Sequence, residues 1–348
     1  MHALVTGGGG FLGRYIVEQL AARGDRLRCF GRGRYPALEA LGVEVVRGDI
    51  TDAAAVKAAC AGIDGVFHVA ALPGIGMDWR PYEQVNLRGT ENVLRGCHAH
   101  GVSRLVYTSS PSVVFNGRDQ HGVDETAPYD FAWMERHRAH YSRSKALAEQ
   151  AVLAASDASL KTCALRPHLI WGPRDNHLIP RLIARARSGR LRRVGDGANL
   201  VDVVYVENAA AAHLQAADAL AVPDSPVAGR AYFLSQGEPV NCWEWIDQIL
   251  ALADLPPVRK RISLRAARAI GAACEIVYAA LGLKQEPPMT RFLAEQLARS
   301  HWFDVSAARR DFGYEPRIST AEGMQRLAAW LRSTKNGPRV CPPQPRPS

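Results

Sequence analysis

Lysine is scarce in this chain of 348 residues. Only six of its 43 basic residues are lysines, and all the others are arginines. One lysine, Lys145, stands four residues after Tyr141, and none of the other nine tyrosines has a lysine at that distance. In a chain that otherwise uses arginine, a lysine at this spacing indicates a specific need for a compact ammonium group beside a phenol.

Cysteines are few and form no pattern. The seven are odd in number and widely scattered, with no C-x-x-C pair. This argues against a disulfide framework and against a zinc site, and it favours a reducing compartment. We therefore expect no metal and a cytoplasmic location.

Long apolar runs are also missing. The longest, IGAACEIVYAALGL at 270–283, is too short to span a bilayer and contains Glu275. We predict that it forms a buried amphipathic helix rather than a membrane contact. The opening residues MHALVTGGGG have neither a basic nor a long apolar region, so we expect no secretory signal.

The formal net charge of +9 makes nucleic acid a partner to consider. The densest basic segment, RLIARARSGRLRR at 181–193, has six arginines and no acidic residue, but no nucleic-acid motif surrounds it. We interpret it as a solvated helix face and expect no nucleic-acid partner. The alternative is an anion site for a substrate or a cofactor phosphate.

Short apolar runs alternate with helical patterns through the first half of the chain. Strands are predicted at 2–6, 26–30, 43–49, 64–71, 103–110 and 161–167, and helices at 11–23, 52–60, 82–100 and 141–155. This alternation predicts an α/β fold, a Rossmann-type doubly wound parallel sheet with helices on both faces. Ligands of such sheets bind at the carboxyl ends of the strands.

The pattern changes after Pro167 and becomes mainly helical from about residue 240, with further strands at 201–206 and 231–235. We expect a dinucleotide-binding domain over 1–170 that also takes in about 200–235. A smaller, mainly helical C-terminal substrate domain would comprise 171–199 and 236–333. The proline-rich end, 334–348, is predicted to be disordered.

The segment TGGGGFLG (6–13) joins the first predicted strand to the first helix. Gly7, Gly10 and Gly13 are spaced three apart. Such glycines allow a tight turn, close approach of the backbone to a pyrophosphate, and close packing of helix on strand. The N–H groups at the helix N-terminus then face the phosphates. We predict a dinucleotide site here, with Phe11 and Leu12 also in contact.

The second strand has no acidic residue at its end. An NAD site usually has a carboxylate there, which holds the ribose 2′-hydroxyl. Here Gly31 takes that position, and Arg32 and Arg34 follow. We therefore favour NADP(H) over NAD(H), the alternative being two ordinary surface arginines. Asp49, after the third strand, is placed to meet the adenine ring, although it also suits a helix cap.

Tyr141 and Lys145 share one face of a predicted helix, because positions i and i+4 are neighbours. A nearby cation lowers the pKa of a phenol from about 10 towards working pH, as acid–base catalysis requires. The lysine can also hydrogen-bond a nicotinamide ribose. Ser110, with Ser109 in reserve, ends the strand at 103–110, and we expect its hydroxyl to hold a substrate carbonyl. The alternative is a plain turn serine.

Together these motifs resemble the extended short-chain dehydrogenase/reductase superfamily. The matching segments are TGGGGFLG (6–13), GDI (48–50), HVAA (68–71), NLRGTENVL (86–94), YTSSPSVV (107–114), YSRSK (141–145), RPHLIWGP (166–173) and VDVVYVENAA (201–210). The resemblance implies that Asn86 joins the catalytic set and supports the lysine through water. It also implies cofactor contacts from Ile50, Ala70 and Pro167. His68 stands where many members have asparagine.

Within the superfamily, YTSSPSVV and residues 286–316 resemble the 3β-hydroxysteroid dehydrogenase branch. Nearly the whole chain also resembles bacterial 2-alkyl-3-oxoalkanoate reductases of long-chain olefin biosynthesis. This implies NADPH-dependent reduction of a lipophilic 3-oxo acid, with Tyr141 as the proton donor. The resemblance also implies a homodimer and allows association with other pathway enzymes.

Three alternatives remain at this point: a 3β-hydroxysteroid or sterol dehydrogenase using NAD, a nucleotide-sugar epimerase, and a non-enzymatic NADP-sensing protein. The apolar helix 264–283 and three residues before Tyr141, Phe131, Trp133 and Met134, are candidates for lining a lipid channel. Ordinary core packing is the alternative for all of them.

Overall fold

The computed structural model describes residues 1–283 and 285–335. The strands of its central sheet are β1 His2–Thr6, β2 Arg26–Gly31, β3 Glu44–Arg47, β4 Gly65–His68, β5 Arg104–Thr108, β7 Lys161–Pro167 and β12 Arg230–Leu234. They run parallel in the order β12-β7-β5-β4-β1-β2-β3. The predicted doubly wound parallel sheet is confirmed, and its order reverses between β1 and β4.

Fourteen helices are found in the described part of the chain. They are α1 Phe11–Ala22, α2 Pro36–Glu39, α3 Ala53–Ala59, α4 Trp79–Tyr82, α5 Gly89–His100, α6 Phe131–Arg136, α7 His140–Ala154, α8 Leu178–Arg187, α9 Val206–Leu220, α10 Cys242–Leu252, α11 Leu264–Ala280, α12 Arg291–Ala298, α13 Ser306–Phe312 and α14 Thr320–Lys335. A π-helical turn, Glu83–Arg88, joins α4 to α5, and a 3₁₀ turn spans Pro111–Val114.

Eight shorter strands complete the structure. They are β6 Gln120–Val123, β8 Ile170–Trp171, β9 Arg193–Val194, β10 Leu200–Val201, β11 Val204–Tyr205, β13 Val240–Asn241, β14 Arg261–Ile262 and β15 His301–Phe303. They form a four-stranded sheet in the order β13-β10-β15-β6 and two pairs, β11-β8 and β14-β9. The strand predicted at 201–206 is therefore split into β10 and β11, and each half pairs with a different neighbour.

Both faces of the central sheet are buried. Side chains alternate along a strand, so Ala3 and Val5 of β1 pack with α1 and α9 on one face, while Leu4 packs with α3 and α5 on the other. A further apolar cluster, which includes Trp171 and Trp243, joins α8, α10 and α14. The division into a dinucleotide domain and a substrate domain remains a prediction.

The long helix predicted over 82–100 is interrupted. Its first part is the π turn Glu83–Arg88, and regular α-helix begins only at Gly89. Such turns often occur at functional sites, and this one contains Asn86. At the other end of the chain, residues 334 and 335 belong to α14 rather than to a disordered tail. The rest of that prediction, 336–348, lies outside the described residues.

The prediction of a buried helix at 270–283 is wrong. Helix α11 buries only Ala267, Gly271 and Glu275. Its large apolar side chains face outward, with Ile276 70% exposed and Val277 49% exposed. The buried stripe is small because the helix lies close to the backbone at the start of α12: a Cβ on Gly271 would lie 2.6 Å from the carbonyl carbon of Thr290.

The other candidates for a lipid channel pack into one apolar cluster. Met134 is fully buried among Val113, Val114 and Phe303, as the core-packing alternative expects, and Phe131 and Trp133 pack against the same cluster while partly buried. All three lie on the short helix α6. Among the described residues, no helix has the length and apolarity needed to cross a bilayer.

Candidate active site

A cleft of about 500 Å³ opens at the carboxyl ends of the central strands, where the strand order reverses. The predicted site residues that line it are Gly7, Gly10, Phe11, Leu12, Gly13, Arg32, Asp49, Ile50, Ala70, Tyr141 and Lys145. Ser109, the reserve serine, lines it too. Ser110 and Pro167 line a separate, smaller recess of about 80 Å³. The fold thus brings distant sequence motifs to one edge of the sheet.

The glycine loop has a conformation and packing that side chains would disrupt. Gly7 has a φ of 72°, and a Cβ on it would lie 2.9 Å from the backbone of Ala70. A Cβ on Gly13 would collide with the carbonyl oxygen of Gly7. Helix α1 begins at Phe11, directly after the loop. Its free N–H groups therefore lie at the cleft, as a phosphate cradle requires.

The end of β2 presents one arginine to the cleft. Arg32 lines it and is exposed, whereas Arg34 is exposed outside the lining. Asp49 accepts hydrogen bonds from the Thr51 N–H and hydroxyl at 2.9 and 2.7 Å. Burial works to raise the pKa of Asp49, but the Thr51 bonds and the Arg32 charge outweigh it and lower that pKa. Asp49 therefore lines the cleft and closes a local turn, but it is not the helix cap, because the cap of α3 is Asp52.

Helix α7 places Tyr141, Lys145 and Glu149 on successive turns. Lys145 is only 2% exposed. Its ammonium donates to the carbonyl oxygen of Thr108 and lies 4.0 Å from the centre of the Tyr107 ring. Burial lowers the pKa of Lys145 to about 7, and the charge of Glu149 opposes that shift.

The phenol of Tyr141 behaves differently from the expectation. Burial raises its pKa to about 12, and the Ser110 hydroxyl, which lies within hydrogen-bonding reach, only partly offsets this. Lys145, whose ammonium donates to the Thr108 carbonyl, is not among the groups that lower it. With these protein groups alone, Tyr141 is a protonated acid at neutral pH, which suits a proton donor.

A buried ion pair between Glu149 and Arg166 lies beneath the lysine. The sequence analysis did not identify Glu149 as part of the site. Arg166 donates to Glu149 at 2.6 Å, and Tyr129 donates to the same carboxylate at 2.6 Å. The side chains of Arg166 and Glu149 are 3% and 0% exposed. The i+4 spacing from Lys145 to Glu149 is the signal that could have revealed the carboxylate.

Asn86 lies behind the cleft on the π turn. Its amide donates to Ser144 Oγ at 2.9 Å and to the Leu72 carbonyl at 3.1 Å, and its oxygen accepts from the Leu72 N–H at 2.7 Å. The side chain thus fixes α7 to the segment after β4. The expected link from Asn86 to Lys145 through water remains a prediction.

His68, which stands where many members of the superfamily have asparagine, makes two buried hydrogen bonds. Thr90 donates to the Asn86 carbonyl at 2.6 Å, so the His68 Nε2–H donates to Thr90 and its Nδ1 accepts from the Thr6 hydroxyl. Burial, followed by the Lys145 charge, lowers the pKa of His68 to about 3. His68 is therefore a neutral bridge between β1 and α5.

The switch-point glycine loop and the Tyr-x-x-x-Lys helix facing it define a short-chain dehydrogenase/reductase of the extended type. The sequence profile of the 3-beta hydroxysteroid dehydrogenase/isomerase family matches residues 4–265. The chain belongs to this family of oxidoreductases.

Two curated relatives and one solved structure are similar over nearly the whole chain. The 2-alkyl-3-oxoalkanoate reductase of Stenotrophomonas maltophilia is 51% identical over 329 residues, 94% of this chain and 99% of the relative. The Shewanella oneidensis protein of the same name is 48% identical over 337 residues, 95% and 86% of the two chains. MoeE5 in complex with UDP-glucose and NAD is 25% identical with a TM-score of 0.72, covering 96% of this chain and 100% of MoeE5.

Proposed function

We propose that this protein uses NADPH to reduce a 2-alkyl-3-oxoalkanoate to the 2-alkyl-3-hydroxyalkanoate in long-chain olefin biosynthesis. The observation that carries the proposal is the identity of 51% and 48% to two reductases of that name, over 94% and 95% of this chain. The Tyr141–Lys145–Ser110 arrangement supports it, because reduction of a ketone needs a proton donor beside the forming alkoxide.

The cleft fits a nicotinamide dinucleotide. Gly7 and Gly13 leave room for a pyrophosphate against the backbone, and the start of α1 directs N–H groups towards it. Gly31 supplies no carboxylate at the end of β2, and Arg32 supplies a cation there, which favours a 2′-phosphate. When bound, the cofactor supplies the hydride for C3 of the substrate.

The chain's own groups would handle the proton. Tyr141, whose pKa burial raises to about 12, holds its proton at neutral pH and would donate it to the C3 oxygen. Ser110, beside that phenol, would hold the same oxygen through its hydroxyl. Lys145, which lines the same cleft, would hydrogen-bond the nicotinamide ribose.

The recess beside Ser110 has a mixed lining. The apolar residues Phe115, Pro167, Leu169 and Phe303 line it together with the polar residues Ser112, Gln120, His168, Gln296 and His301. It therefore offers both apolar surface and hydrogen-bonding groups beside the reacting carbon. The homodimer, the association with other pathway enzymes and the cytoplasmic location remain predictions from the resemblance.

The deciding experiment is cofactor turnover with two substrates. NADPH and NADH are compared on a long-chain 2-alkyl-3-oxo acid and on a 3-ketosteroid. Because β-keto acids decarboxylate, the reverse reaction on the stable 2-alkyl-3-hydroxy acid with NADP⁺ is measured in the same series. We expect turnover of the branched acid with a preference for NADP(H).

A second candidate is a 3β-hydroxysteroid dehydrogenase that uses NAD(H), which the match to the 3-beta hydroxysteroid dehydrogenase/isomerase profile supports. It would share every proposed catalytic residue. Activity on the steroid alone, with NAD(H), would replace the first proposal with this one and make Arg32 an ordinary surface residue.

A further inference from the structure

The side chain of Tyr35 occupies a slot made by three glycines at the edge of the cleft. A Cβ on Gly9 would collide with the Tyr35 ring. A Cβ on Gly33 would lie 2.8 Å from ring atom Cε1, and one on Gly31 would lie 2.9 Å from the hydroxyl oxygen. The ring therefore packs against Gly9 of the glycine loop and reaches the end of β2 at the same time.

The backbone around Tyr35 is restrained. Pro36 follows at the first position of α2 and disfavours the helical conformation for the residue before it, and Tyr35 has a φ of −129° and a ψ of 66°. The Tyr35 hydroxyl oxygen accepts the Gly33 N–H at 3.2 Å. Within residues 1–283 and 285–335, no acceptor is described for the hydroxyl hydrogen, so the phenol has a donor to offer within the cleft, which Tyr35 and Arg32 both line.

The Tyr35 hydroxyl lies beside Gly31 at the end of β2. Residue 31 is where an NAD-binding chain of this fold carries the carboxylate for the ribose 2′-hydroxyl. In this protein a side chain there would need the space that Tyr35 fills. A neutral hydrogen-bond donor and the Arg32 guanidinium take the place of an anion.

We propose that Tyr35 determines dinucleotide specificity by excluding a side chain at position 31 and donating its hydroxyl hydrogen to a cofactor 2′-phosphate. The proposal rests on the NADP(H) preference of the proposed function and deepens it. It makes Gly31 and Tyr35 a coupled pair, since the residue at one position decides which side chain the other can accept.

The test is a binding experiment on the full chain by titration calorimetry. Adenosine 2′,5′-bisphosphate and 5′-AMP probe the adenosine half alone, and NADP⁺ and NAD⁺ probe the whole cofactor. The variants are Tyr35→Phe, Tyr35→Ala, Gly31→Asp and the double variant Gly31→Asp/Tyr35→Ala. Melting temperatures without ligand show whether each variant folds.

Removing only the hydroxyl isolates its hydrogen bond. We expect Tyr35→Phe to weaken adenosine 2′,5′-bisphosphate about tenfold, since hydrogen bonds to charged groups are the strong ones. Affinity for 5′-AMP should change less than about twofold. Equal weakening of both ligands, or no weakening of either, would overturn the donor role.

The double variant tests the coupling. Gly31→Asp alone should weaken both dinucleotides, because the introduced carboxylate and the Tyr35 ring compete for one space. With Tyr35→Ala added, NAD⁺ affinity should rise at least about tenfold above the product of the two single effects, as expected for residues in contact. Additive effects would show that Tyr35 does not exclude a side chain at position 31.

Arg32→Ala separates this proposal from the proposed function. It should weaken NADP⁺ whether residue 35 is tyrosine or phenylalanine. If the unmodified protein binds NAD⁺ as tightly as NADP⁺, the NADP(H) preference fails, and the donor role of Tyr35 fails with it. Non-additivity between Gly31→Asp and Tyr35→Ala in NAD⁺ binding would still support the steric part.

Discussion

Helices α7 and α11 are similar in length, and each departs from the usual burial pattern in a different way. Helix α7 buries Lys145 and Glu149, and helix α11 exposes Ile276 and Val277. Their buried charges differ in setting. The carboxylate of Glu149 is enclosed with Arg166, while Glu275 of α11 pairs with the partly exposed Arg291.

The comparison shows which departures from the usual burial pattern point to a functional role. A buried charge is costly unless it is paired and hydrogen-bonded, so the Lys145–Glu149 face of α7 needs a complete set of partners, and it lies at the cleft. An exposed isoleucine leaves no polar group unsatisfied, and exposed apolar residues are common on protein surfaces. In α11 the small residues are buried because the helix must approach α12 closely.

The largest expected effect is on turnover. Tyr141→Phe removes the proton donor while leaving the ring, so we expect kcat to fall about 10²- to 10⁴-fold, with cofactor affinity changed less than about twofold. Steady-state kinetics and titration calorimetry measure the two quantities. Tyr278→Phe on α11 is the matched control and should leave both unchanged. Undiminished turnover in Tyr141→Phe would remove this residue from the mechanism.

The next largest effect is on stability. Glu149→Gln leaves Arg166 buried without its counter-charge, and breaking such a pair costs about 3–5 kcal/mol in the free energy of unfolding. Glu275→Gln on α11 is the comparison, and it should cost about 1 kcal/mol or less because Arg291 can turn to solvent. Denaturant unfolding of both variants measures the difference. Equal losses would contradict the distinction between the two helices.

Lys145 gives the unfolding free energy a pH dependence of known sign. Its pKa is about 7 in the folded chain and 10.5 ordinarily. Between these values the unfolded chain keeps a proton that the folded chain has lost, so stability rises with pH by about 1.4 kcal/mol per unit. Below pH 7 Lys145 is protonated in both states, and burial of its charge then lowers the stability by the full amount.

The variant Lys145→Met removes this titration. Its stability advantage over the unmodified chain should be largest at pH 7 and below and should shrink steadily towards pH 10. Urea unfolding at pH 6.5, 8.0 and 9.5 measures it. A stability difference that stays constant over this range would mean that Lys145 has an ordinary pKa in the folded chain.

The smallest effect is expected on the exposed face of α11. Ile276→Gln should change the free energy of unfolding by less than about 0.5 kcal/mol, because the side chain makes little packing contact. Val152→Ala on α7, at a fully buried position, should cost at least about 1 kcal/mol. Thermal unfolding of the two variants compares the faces directly. A large loss for Ile276→Gln would show that this face is covered.

Much of the candidate site could be predicted because its motifs are local. The glycine loop needs only residues 6–13, and Tyr141 and Lys145 meet through helix geometry. The partner of Glu149 was not predictable, because Glu149 lies on helix α7 and Arg166 on strand β7. The π turn at Asn86 also has no signal in a single sequence, since it depends on how the segment packs.

The predicted direction of the Tyr141 pKa shift was wrong for a related reason. Helix spacing places Lys145 on the same face as the phenol, but spacing does not show which acceptor the ammonium chooses. In the folded chain that acceptor is the Thr108 carbonyl at the end of β5, and burial then controls the Tyr141 pKa. The four-residue spacing predicted that Tyr141 and Lys145 are neighbours, but it did not predict their hydrogen-bond partners.

The sequence by itself determined the alternation of strands and helices, the glycine loop and the face shared by Tyr141 and Lys145. These features depend on residues close together in the chain, where periodicity and backbone geometry act directly. Only the tertiary structure decided that Tyr35 packs against the glycine loop, that Glu149 and Arg166 pair beneath the lysine, and that α11 turns its apolar side chains outward. Each of these depends on which surfaces of distant segments fit together, because burial and hydrogen-bond partners are properties of the packed chain.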